Sequence, residues 1–107
     1  MQTTRLSSHE IDQGLKTLDS WRLDAHKASI RKEWEFDSFK TAMNFFLKVG
    51  DIAERHNHHP ELLSTYTKVR IRLLTHDAYG LTQKDFELAV EIDRLIKSDF
   101  LNSLKTN

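Results

Sequence analysis

The spacing of apolar residues switches repeatedly between a helical period and a period of two, and each switch restricts its segment to one kind of secondary structure. Ile11, Leu15 and Leu18 recur at helical spacing, whereas Ile30, Trp34 and Phe36 alternate with Arg31, Glu33 and Glu35. The helical period returns with Phe39, Ala42, Met43, Phe46, Val49 and Ala53. Alternation then resumes, with Val69, Ile71 and Leu73 on one face and Lys68, Arg70 and Arg72 on the other. A last helical stripe joins Phe86, Ala89, Val90 and Ile96.

Boundary residues divide these stretches into elements. Ser7-Ser8-His9-Glu10 forms a capping box ahead of a short first helix that ends before Asp19-Ser20. Trp21 to Leu23 and Ala28 to Phe36 read as a strand pair around Asp24 to Lys27. Asp37 or Ser38 caps a second helix running to about His56. Pro60 biases His59 away from the α region, so that helix stops near His58. Leu62 to Thr75 is long enough for two short strands with a hairpin near Tyr66 to Lys68. Gly80 supplies turn freedom, and Thr82 with Asp85 makes a capping-box variant ahead of the last helix. The segment after Asp99 is polar and is expected to fray. The order α-β-β-α-β-β-α with hairpin-length links predicts an α+β two-layer sandwich, an antiparallel four-stranded sheet with three helices on one face.

With 107 residues, the chain is expected to form one domain over 1–107. Sixteen basic and sixteen acidic residues balance, so no overall field draws the protein to nucleic acid or to an anionic membrane. Gly is scarce, no Gly-rich loop exists, and Arg70 with Arg72 makes no basic stripe. Cysteine is absent, which removes disulfides and thiolate chemistry and fits a reducing compartment. Met1 to Arg5 lacks an apolar signal core, and no run approaches the roughly 20 apolar residues of a membrane span. The expectation is a cytoplasmic protein that acts on a small, weakly charged ligand.

Between Glu54 and Asp85 lie Glu54, His58, His59, Pro60, Tyr66, His76 and Asp85, spaced as E-x3-H-H-P-x5-Y-x9-H-x8-D. This arrangement resembles the signature of pterin-4a-carbinolamine dehydratases. Trp21 upstream and Thr75-His76 followed by Gly80-Leu81-Thr82 extend the resemblance over roughly residues 5 to 97. Asn57 stands where some relatives carry Asp, so any carboxylate role there is either lost or taken over by Glu54. The resemblance implies dehydration of a 4a-hydroxytetrahydropterin without metal or organic cofactor, and a homodimer or homotetramer.

Dehydrating a carbinolamine requires a proton for the departing hydroxyl while another leaves the ring nitrogen, and histidine serves either role near neutrality. By the resemblance, His58 and His76 are the acid-base pair, and Glu54 sets the tautomer of a neighbouring imidazole. The resemblance further implies that His59, Trp21, Tyr66 and Asp85 contact the pterin. The residues taken singly allow plainer roles. His58 and His59 suit a helix C-terminus, Asp85 a cap, Tyr66 and Trp21 hydrophobic packing. His56, His58 and His59 with Glu54 offer metal ligands, but the spacing matches no recognised site. A non-catalytic binding module, acting as a dimerisation cofactor or assembly factor, is the competing class.

Overall fold

Ser7 opens the first helix, α1 (Ser8–Leu15), by accepting the Glu10 amide on its hydroxyl while Glu10 Oε1 accepts the Ser7 amide. Donation from the Ser7 amide and hydroxyl holds the Glu10 carboxyl below its usual range. The structure is a computed structural model and describes residues 4–105. Two strands follow, β1 (Arg22–Leu23) and β2 (Ile30–Glu35), and then α2 (Phe39–His56). The hairpin β3 (Glu61–Thr65) and β4 (Lys68–Leu73) leads through a 3-10 turn at His76–Ala78 into α3 (Gln83–Leu95).

The four strands pair antiparallel in the order β1-β2-β4-β3. The predicted α+β sandwich is therefore the observed fold. α2 carries the chain past β4 to the outer position of β3, and the hairpin returns it to the centre. Register puts Ile30, Trp34, Val69, Ile71 and Leu73 on the helix-covered face, where all are buried, while Arg31, Glu33 and Arg70 face outward. Period-two alternation is thus the sheet's own division between core and solvent.

Ser38, not Asp37, caps α2, its hydroxyl accepting the Thr41 amide at 3.1 Å. The buried stripe of α2 is Ala42, Phe45, Val49, Ile52 and Ala53. This corrects the sequence-predicted stripe, since Phe39 is 50% exposed and Met43 and Phe46 are only half-buried. Both adjacent phenylalanines fit a helical stripe. Phe45 goes inward because Trp34, Phe36 and Phe100 surround it, with ring centroids at 5.1, 5.1 and 5.5 Å.

Two further readings change. Tyr79 takes the left-handed conformation in the turn before α3, and Gly80 has no positive φ. Gly14 is the glycine the fold needs, because a Cβ there would lie 2.7 Å from the Phe86 ring where α1 crosses α3. The segment after Asp99 is pinned, not frayed. Phe100 is buried, the Asp37 amide donates to Ser103 O, and the Lys105 amide donates to Glu35 O, tying the tail to β2. Thr106 and Asn107 lie outside the described residues.

Candidate functional site

The position of His58 depends on how α2 ends. Asn57 adopts the left-handed conformation (φ 50°, ψ 43°), its amide donates to Glu54 O, and the His58 amide donates to Ala53 O. These two bonds form a Schellman closure, which reverses the chain within one residue. The stop is therefore made by Asn57, with Pro60 only keeping the following residues extended. Asparagine is the side-chain-bearing residue that most readily occupies that region, so its identity carried the signal.

The closure turns His58 inward against the first turn of α3. His58 is buried, and its Nε2 lies 2.6 Å from Oδ1 of Asp85, a carboxylate with no exposure at all. The other carboxylate oxygen, Oδ2, accepts the Thr82 amide at 2.9 Å and the Thr75 hydroxyl at 2.9 Å. Thr75 and Thr82 hydroxyl oxygens are 2.8 Å apart. A buried charge is tolerated only with this kind of full hydrogen bonding. Asp85 is thus both a cap partner of α3 and the residue that holds His58.

His59 points elsewhere. It is exposed, and its Nε2 is 2.5 Å from Glu54 Oε1. His56 contacts Glu91 of α3, which also approaches Arg55 at 3.5 Å. The three histidines of the run therefore address three separate carboxylates. Among the described residues, no set of three or more His, Asp or Glu side chains converges in a manner that would hold a metal ion. Glu54 contacts His59, so the carboxylate that contacts His58 is Asp85.

His76 is exposed at the start of the 3-10 turn, directly after Thr75. The shared Asp85 carboxylate thus joins the segment bearing His76 to His58. Two other sequence-predicted residues lie apart from this cluster. Tyr66 is 75% exposed at the β3–β4 turn with φ 53° and stacks on Phe39. The five residues of extended β3 lie between it and Pro60, a separation on the order of 20 Å at the usual strand rise. Trp21 is buried edge-on against Trp34 at 5.7 Å, and its Nε1 donates to Asp93 Oδ1 at 2.9 Å. Its observed place is the core. The sequence reading of Thr82 as a cap holds, but the parts played by the Thr75 hydroxyl and by Asn57 were not read from the sequence, although Thr75 stood in the quoted run.

A groove of about 710 Å³ lies between α1 and α3, lined by Gly14, Phe86 and Val90 and also by His56 and Glu91. It contains none of His58, His59 or His76.

The family model for pterin 4 alpha carbinolamine dehydratase matches residues 4–95. A protein of Roseiflexus sp. (strain RS-1), provisionally named a pterin-4-alpha-carbinolamine dehydratase, is 43% identical over 93 residues, covering 87% of this chain and 98% of its own. A Sinorhizobium fredii protein of the same provisional name is 37% identical over 105 residues, covering 98% of this chain and all of its own. The crystal structure of a transcriptional coactivator/pterin dehydratase from Brucella melitensis superposes with a TM-score of 0.82 at 30% identity, covering 86% of this chain and 98% of that one. A pterin dehydratase-like RuBisCO assembly factor of the alpha-carboxysome has a TM-score of 0.65 at 23% identity, a likeness of fold alone.

Proposed function

Because the chain belongs to the pterin-4a-carbinolamine dehydratase family, we propose that it removes water from a 4a-hydroxytetrahydropterin to give the quinonoid dihydropterin. One observation carries the reading: a histidine held by a fully buried carboxylate, beside a turn that presents a second histidine. In the reaction the C4a–O bond breaks as the hydroxyl takes a proton and departs as water. The neighbouring ring nitrogen loses its proton, and the electron pair freed there forms the C=N bond. No electrons enter or leave, so the step needs an acid and a base and no redox partner.

His58 and His76 are assigned as that acid-base pair, and His59, steadied by Glu54, as a residue that orients the pterin. Positioned groups of this kind typically contribute about 10²–10⁴-fold in rate. The chain is further read as a homodimer or homotetramer. The outer edge of β3 and the half-exposed Leu63 on that strand support this, and sizing in solution tests it. Among the described residues no helix is long and apolar enough to cross a membrane.

The test is turnover of chemically made 4a-hydroxytetrahydropterin. The expected result is decay of the carbinolamine well above its spontaneous rate, unchanged after dialysis against a strong chelator. A correctly folded protein without such turnover would reject the dehydratase reading in favour of a non-catalytic binding module.

A further inference from the structure

Asp85 is more elaborately bonded than a helix cap requires. Capping α3 needs only the Thr82 amide on Oδ2, yet the Thr75 hydroxyl also reaches Oδ2 and His58 Nε2 reaches Oδ1. Thr75 has one hydroxyl proton and two oxygen neighbours. One arrangement satisfies every group. The Thr82 hydroxyl donates to Thr75 Oγ1, the Thr75 hydroxyl donates to Asp85 Oδ2, and Asp85, able only to accept when ionised, takes the proton-bearing Nε2 of His58 on Oδ1. Among the described residues, His58 Nδ1 has no hydrogen-bond partner, its one side-chain bond being made by Nε2. Among the described residues the one buried side-chain nitrogen or oxygen without a partner is Trp34 Nε1, so Nδ1 of His58 opens to solvent. His59 and Glu54 form the contrasting pair, both exposed and without such a chain behind them.

We propose that Thr75 and Thr82, acting through Asp85, hold the His58 imidazole in the Nε2–H tautomer, so that Nδ1 is the atom that exchanges a proton with substrate. Thr75 is a positioning residue in this scheme. The tautomer stands on geometry alone, whereas the use of Nδ1 in turnover rests on the dehydratase reading. In one direction Nδ1 accepts the proton that leaves the substrate. In the other, the imidazolium returns that proton from Nδ1 while Nε2–H stays on Asp85.

Replacing Asp85 by Asn separates this scheme from a merely structural one. The Thr82 amide can only donate, so the carboxamide oxygen must face it, which turns the carboxamide NH2 toward His58 Nε2. That nitrogen must then accept, and the neutral ring must move its proton to Nδ1. Side-chain 15N–1H correlation spectra of labelled protein, with His58 assigned by its loss in His58→Gln, read the tautomer without substrate. Native protein is expected to show Nε2–H, and Asp85→Asn to show Nδ1–H with turnover reduced by roughly 10²-fold or more. Thr75→Ser should keep the native spectrum and rate. Thr75→Val should give mixed tautomers and lower kcat more than it changes KM.

A native His58 carrying its neutral proton on Nδ1, a folded Asp85→Asn protein that retains Nε2–H, or a Thr75→Val protein native in both spectrum and rate would overturn the proposal. If Asp85→Asn does not fold, the native spectrum and the Ser/Val pair decide it. Native protein with the Nε2–H spectrum but no turnover would leave the tautomer lock standing. It would overturn the catalytic use of Nδ1 together with the dehydratase reading.

Discussion

Nε2 of His58 stands 2.6 Å from Oδ1 of Asp85 across 27 positions of sequence, because the C-terminal end of α2 meets the N-terminal turn of α3. His58 follows the C-terminus of one helix and Asp85 lies in the first turn of another, so the pair bridges helix ends of opposite dipole sign. Such placements are typically worth about 0.3–1 kcal/mol each. The fold therefore supports this pair electrostatically before any substrate is considered.

If His58 and His76 act in one dehydration step, His58→Ala and His76→Ala should each lower kcat by roughly 10²–10⁴. The double variant should lose far less than the product of the two losses, since groups that act as a unit are non-additive. His59→Ala should raise KM more than it lowers kcat. Steady-state kinetics on the four proteins measures this, and strictly multiplicative losses would assign the two histidines to independent steps.

Phe45 is the aromatic at the centre of the core, fully buried among Trp34, Phe36 and Phe100. Phe45→Ala should cost about 3–5 kcal/mol, the range for deleting a buried aromatic, and Phe46→Ala clearly less. Denaturant titration of both variants gives the order directly. Equal losses would mean that the inward face of α2 is wrongly assigned.

Most of the architecture was legible in the sequence because period-two and helical patterns differ over short windows, and because Ser7, Ser38 and Thr82 stand where caps belong. Local pattern could not choose between Phe45 and Phe46, since adjacent positions both fall within a wide apolar face and the choice depends on rings contributed by β2 and the C-terminal segment. The tail after Asp99 misled for a related reason. Its burial comes from Phe100 and from backbone bonds to Glu35 and Asp37, partners remote in sequence. At the site, motif spacing brought His58 and Asp85 into one list but gave no sign that they touch, or that Glu54 turns to His59. Tyr66 and Trp21 were spaced correctly for the motif, yet spacing carries no information about which end of a strand or which layer a side chain occupies.

Asp24 supplies a dependence of stability on acid. Burial works to raise its pKa, but bonds from the Ala28 amide and the Ser29 hydroxyl and amide, with Arg72 nearby, outweigh it and leave the carboxyl below its ordinary value. A carboxyl whose pKa is lower folded than unfolded stabilises above the unfolded value of about 3.9, and that contribution disappears as pH falls through the folded value. Native protein should therefore lose stability below about pH 4 more steeply than Asp24→Asn. Thermal melts of the two proteins from neutral to acid pH test the difference. Parallel curves would remove Asp24 from the account.

Asn57 ties the end of α2 to the site, and its left-handed backbone makes it sensitive to side-chain shape. Asn57→Gly should be tolerated, because glycine takes that conformation freely. Asn57→Val should cost about 1–2 kcal/mol, since a branched Cβ crowds the following carbonyl there. Any relaxation of that strain must move the Ala53–His58 hydrogen bond, and with it the imbalance should reach the His58–Asp85 contact. Turnover of Asn57→Val should fall further than its remaining folded fraction explains, while Asn57→Gly keeps the native rate. Equilibrium unfolding and kcat measured on the same samples separate the two effects, and a valine variant of native stability and rate would show that the closure does not depend on this residue.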